Sequence, residues 1–153
     1  MSFAKITSGG SAGGYVTLCA LAFRDAFTAG ISNFGIGDLT SFVGETHKFE
    51  ARYIDSLIGP YPEREALYRE RSPLFHLEGM HAPALITQGL EDRVVPPTQG
   101  RQIVEAIRAK GLPVASVFFE GEDHGYRQAS NVIRSFEAML SFLGQVYGFT
   151  PAD

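Results

Sequence analysis

The stretch KITSGGSAGGYVTLCALAF, residues 5–23, limits the possible folds more than any other part of the chain. A short alternating segment, Phe3–Thr7, predicts a strand. The run Ala12–Phe23 is apolar on nearly all sides, as a helix buried on several faces is. Between them lie only small residues, Ser8 to Ser11. The absence of charge from Ile6 to Phe23 raises the question of a membrane span or signal peptide. The first half of the stretch is mostly glycine and serine, however, and its apolar part is short, so it reads as protein interior. A phosphate-binding loop would end in Lys-Ser/Thr, and a dinucleotide fold needs a third glycine at a spacing not met here. What remains is Gly9-Gly10-Ser11-Ala12-Gly13, the Gly-x-Ser-x-Gly pattern between strand and helix. A sharp turn of this kind strains the serine backbone and needs small neighbours to avoid clashes.

The rest of the chain alternates in the same manner. Ala29–Gly37 suits a short strand with its turn, and Asp38–His81 is an irregular, partly helical excursion rich in charge and aromatics. Ala82–Gly89 (APALITQG) is a buried strand, a short apolar run after a proline and ending at glycine. Thr98 is expected to cap a helix running through Lys110, with Gly111 as its stop. Pro113–Glu120 is a fourth strand. A last helix from about Ser130 carries Val132, Ile133, Phe136, Leu140 and Leu143 at helical spacing. The expected fold class is α/β: a mainly parallel sheet of about four strands in chain order with flanking helices, the first strand at an edge. No repeat or linker interrupts it, so residues 1–153 are expected to form one domain, and at this length about 70% of the unfolded chain's surface can be buried.

A formal net charge of −4 leaves no electrostatic footprint for nucleic acid or an anionic membrane surface, so neither is expected as a partner. The single cysteine, Cys19, cannot form an intramolecular disulfide, and a cytoplasmic location is the expectation. His76 and His81 lack the spacing of a helical zinc pair and His47 stands alone, so no metal or other cofactor is expected. Cys19, Tyr15 and Phe23 read as packing residues of the first helix.

A serine on such a turn becomes a nucleophile only with a base, and the base needs an orienting carboxylate. In parallel sheets, functional groups gather at the carboxyl ends of the strands. Those ends supply Glu91 and Asp92 after ALITQG, then His124 after SVFFEGED. The chain order Ser, acid, His is that of an α/β-hydrolase arrangement. The Ala12 amide, at the start of the helix, is the candidate oxyanion donor. Gly10 and Tyr126 are candidate substrate-lining positions. Against these stand plainer readings: Asp92 as a cap for the turn before Val94-Val95-Pro96-Pro97, and Glu122 and Asp123 as solvated charges. The aromatics Phe42, Phe49, Tyr53, Tyr61 and Tyr68 either line an acyl pocket or fill core.

The stretches KITSGGSAGGY, SPLFHLEGMHAPALITQGLEDRVVPPTQ and FFEGEDHGY resemble the catalytic domain of the prolyl oligopeptidase family, in its acylaminoacyl-peptidase and dipeptidyl-peptidase branch. The resemblance implies Ser11 as nucleophile, Asp92 as the orienting acid, His124 as general base and Glu91 as a solvated loop residue. Family members carry further strands and an oxyanion-loop segment before the nucleophile strand. The chain therefore resembles the C-terminal half of a truncated α/β-hydrolase domain, without the family's second oxyanion donor. A homodimer in which a second copy covers the open sheet is the expected assembly. The expected activity is that of a serine hydrolase acting on small esters or, as the family does, on peptide and acyl-peptide bonds. The alternative is a catalytically silent module serving as a binding or assembly unit.

Overall fold

The computed structural model describes residues 3–46 and 48–152, apart from the side chains of residues 49–51. Its centre is a parallel sheet of four strands in the order β1-β2-β3-β4: Ile6–Gly10, Ala29–Asn33, Ala84–Gly89 and Val114–Phe119. The first strand begins three residues later than the alternation of Phe3–Thr7 predicts. It runs into the glycines because its register pairs Ile6 with Ala29 and Gly10 with Asn33, carrying the strand to the edge of the serine turn. Helix α1 (Ala12–Phe23) connects β1 to β2, α5 (Pro97–Ala109) connects β3 to β4, and α6 (Ala129–Tyr147) follows β4. Between β2 and β3 lie α2 (Leu39–Glu45), α3 (Lys48–Ile58), α4 (Glu65–Glu70) and two single 3₁₀ turns, Pro73–Phe75 and Leu77–Gly79. No described helix is long and apolar enough to cross a membrane.

Alternation along the strands sorts the core into two layers. Leu18 and Leu21 of α1, Ile103 and Ile107 of α5, and Ala84 and Ile86 of β3 form one, closed by Met80. Ala29, Ile31 and Leu85 point the other way and meet Phe142 of α6. Each leucine, isoleucine, methionine or phenylalanine among these, fully buried, contributes about 1.5–3 kcal/mol. A third cluster, Leu39, Phe42, Ile54, Tyr68 and Val95, roots the excursion onto the carboxyl end of the sheet.

Two helix expectations need correction. Thr98 does not cap α5: Pro96 holds the cap position and Pro97 the first turn, while the Thr98 hydroxyl bonds the Glu45 carboxylate. A proline there loses no hydrogen bond, because the first N–H groups of a helix have no intrahelical acceptor. In α6 the predicted apolar stripe is only partly the packed one, with Leu143 its member on the sheet. Ile133, Phe136 and Leu140 are 58%, 63% and 44% exposed, and the face against the sheet carries Met139, Phe142, Leu143 and Val146. The helix packs on β2, β3 and β4. Ile6 shares the sheet face of Ala29 by register and stays exposed.

Candidate active site

Ser11 follows β1 directly, with φ 55° and ψ −120°. This positive φ is the strained turn that the glycine pattern predicts. The turn closes because α1 comes down onto β1: a side-chain carbon on Gly9 would lie 2.5 Å from the Gly13 carbonyl. The Ser11 N–H donates to the Asn33 carbonyl at 3.0 Å, and its own carbonyl accepts from Tyr15 N–H to begin the helix. Ser11 occupies the cap position of α1 but makes no side-chain capping bond. Its Oγ is therefore free for another partner. The Ala12 N–H sits in the first turn of α1, where no intrahelical acceptor reaches it.

That partner is His124, whose Nε2 lies 2.9 Å from Ser11 Oγ. On the other side of the ring, Nδ1 is 2.8 Å from Asp92 Oδ2. A carboxylate only accepts, so Nδ1 carries the proton and Nε2 of the neutral ring accepts from the serine hydroxyl. Asp92 is buried at 3% exposure. Its Oδ1 accepts from the N–H groups of Val94 and Val95 at 2.9 and 2.8 Å, and Oδ2 accepts additionally from Gln88 Nε2 at 3.1 Å. Asp92 thus caps the turn before Pro96 and also faces the imidazole. Glu91 is exposed.

The loop bearing His124 is braced by its neighbours. Glu122, expected as a solvated charge, is buried at 1% exposure. Its carboxylate accepts from Arg127 N–H, Gln128 N–H and Asn131 Nδ2 at 2.8, 3.0 and 3.0 Å, fastening the chain that enters α6 to the preceding loop. Burial pushes its pKa up, but these donors and the Arg127 charge outweigh it and hold the group below the usual carboxylate range. Its share of stability is therefore present at neutral pH and is lost as pH falls through that depressed value. Asp123 is exposed, as expected, and accepts from His124 N–H and Arg93 N–H, which tie the His124 loop to the Asp92 loop and lower its pKa.

A pocket of about 220 Å³ opens beside Ser11 and Ala12, walled by Ile36, Phe42, Ile54 and Val95. Phe42 and Tyr53 line it, whereas Tyr68 is buried beneath with Tyr61 against its ring, so the aromatic excursion serves both pocket and core. The Phe49 side chain and His47 lie outside the described residues. Tyr15 is more than packing: it lines the pocket and donates its hydroxyl to the Arg71 carbonyl at 2.8 Å. Burial raises its pKa well above the ordinary phenol value. Gly10 and Tyr126 are not in the pocket wall. The space over Gly10 is filled by the Phe34 ring. The Tyr126 hydroxyl donates to Thr87 Oγ1 at 2.5 Å, and its ring packs on Phe34. His76 pairs with Glu78 at 3.6 Å, and among the described residues no three His, Cys, Asp or Glu side chains gather as metal ligands do.

Sequence reasoning missed Gln88, Glu122 and Phe34. A glutamine closing the apolar run ALIT was a readable signal, since an amide in a buried strand demands partners. Glu122 and Phe34 carried no such mark.

A serine turn between a parallel strand and its crossover helix, with acid and histidine on the loops after later strands, defines an α/β-hydrolase fold. Residues 5–150 match the prolyl oligopeptidase family, to which the chain belongs. It is 35% identical over 147 residues to dipeptidyl aminopeptidase BIII of Pseudoxanthomonas mexicana, covering 92% of this chain and 21% of that protein. A puromycin-hydrolyzing peptidase of Mycobacterium tuberculosis superposes with a TM-score of 0.93 at 49% identity, over 97% of this chain and 22% of that one. An acylaminoacyl peptidase, solved in complex with Z-Gly-Gly-Phe-chloromethyl ketone, gives 0.85 at 26% identity, over 97% of this chain and 24% of that one. The chain thus spans about a fifth of the length of the curated relative it matches.

Proposed function

We propose that this chain carries the acyl-transfer site of a serine hydrolase. The observation behind the reading is the continuous hydrogen-bonded line Ser11–His124–Asp92 beside an apolar pocket. His124 Nε2 takes the hydroxyl proton as Ser11 Oγ bonds to the substrate carbonyl carbon. Asp92 holds the Nδ1–H tautomer, and the Ala12 N–H donates to the developing oxyanion. The carbonyl re-forms, the leaving group departs with the proton from His124, and water deacylates Ser11 through the same base. The substrate class is a small ester or a peptide or acyl-peptide bond, with an apolar acyl-side residue entering the pocket walled by Ile36, Phe42, Ile54 and Val95. With Ala12 as the one assigned oxyanion donor, activated esters are expected to turn over faster than amides.

The test is a fluorophosphonate probe. The folded chain is expected to be labelled and its Ser11→Ala variant not. Absence of labelling on folded wild type overturns the reading in favour of a silent binding or assembly module.

The second element of the proposal is self-association. Among the described residues β1 has a free outer edge, and Phe3, Ile6 and Val16 are 76%, 40% and 60% exposed around it. An open edge flanked by apolar side chains favours pairing with another chain, and a second copy is the partner proposed. Sedimentation is expected to show a dimer at micromolar concentration; a stable monomer there overturns it.

A further inference from the structure

The residue after β2 is unusual on two independent counts. Phe34 has φ 39°, in the left-handed region where a bulky side chain is an outlier. The chain cannot relax easily on either side. Asn33 spends its carbonyl on Ser11 N–H, Phe34 N–H donates to the Thr87 carbonyl at 2.7 Å, and Gly35 lies so close to α1 that a side-chain carbon would fall 2.7 Å from Gly14. A glycine or asparagine would occupy such a position with less strain.

The ring shows what the strain holds in place. Its centroid lies 4.9 Å from that of His124 at an interplanar angle of 66°, and 5.5 Å from that of Tyr126 at 90°. Both fall in the favoured edge-to-face range. Two of its carbons come within 2.9 Å of where a Gly10 side chain would begin, immediately before Ser11. One aromatic ring therefore touches the serine turn, the imidazole and the loop that carries it.

We infer that Phe34 is a positioning residue: its ring, delivered by a strained backbone, holds the His124 imidazole in the rotamer that joins Asp92 to Ser11. The two hydrogen bonds secure the ends of the imidazole, and Phe34 occupies the space into which it would otherwise turn. The consequence for turnover rests on the hydrolase reading above; the effect on the imidazole does not.

The experiment uses the whole chain and follows the downfield proton resonance of His124 Nδ1–H bonded to Asp92, identified by its loss in His124→Ala. Phe34→Asn suits the backbone but removes the ring. It is expected to broaden or abolish the resonance, and to lower kcat for an activated ester by about 10-fold or more with KM changed less than about 2-fold. Phe34→Tyr is expected to keep both. Should Phe34→Asn fail to fold, Phe34→Leu, which keeps bulk without the planar ring, is read by the same measurements. A sharp, unshifted resonance in the ringless variant overturns the inference, as does its absence from wild type. A wild type that shows the resonance but takes no fluorophosphonate removes the hydrolase reading alone.

Discussion

His124→Ala is expected to lower ester turnover by about 10⁴-fold or more while leaving the chain folded. The size follows from the proposed chemistry: without Nε2 no group within reach of Ser11 Oγ can accept its proton, and a neutral hydroxyl is a poor nucleophile. The fold survives because the ring does not support its own loop. That loop is held by Glu122 on the start of α6 and by Asp123 on the Asp92 loop. In the wild type the imidazole accepts the serine proton through Nε2 and returns it to the leaving group. Steady-state ester assays on both proteins check this; an alanine variant with undiminished turnover removes His124 as the base.

Asp92→Asn is expected to cost about 10⁴-fold in kcat by a different route. Its oxygen can still accept from Val94 and Val95 N–H, so the turn persists. The amide nitrogen then faces two donors, His124 Nδ1–H and Gln88 Nε2. The imidazole must shift its proton to Nε2, which then points a hydrogen at Ser11 instead of a lone pair. The donor–donor contact with buried Gln88 is also expected to reduce stability by about 1–3 kcal/mol. Paired measurements of kcat and thermal unfolding test both parts. Loss of stability with kcat retained would leave Asp92 as a turn cap only.

Much of this arrangement was readable along the chain because it depends on short-range patterns. Apolar runs of four to eight residues marked Ala82–Gly89 and Pro113–Glu120, and both contain strands. Gly9 and its neighbours marked a strained turn, since only small residues permit so close an approach of helix to strand. The errors have physical causes too. The stripe Ile133, Phe136 and Leu140 has helical spacing, yet periodicity does not say which of two apolar faces a sheet will cover. Glu122 looked solvated because charge usually is; three donors from the start of α6 make its burial affordable.

By itself the sequence determined the alternating α/β order, the turn at Ser11 and the chain order of serine, acid and histidine. Those are properties of neighbouring residues, set by sterics and hydrophobic period. Only the tertiary structure decided that Ser11 and His124, 113 positions apart, stand 2.9 Å from one another. It also decided that Gln88 bonds Asp92, that Phe34 packs against His124, and that the pocket opens on the serine. Such distances arise from the parallel register of the strands and from packing across the sheet, which no local pattern encodes.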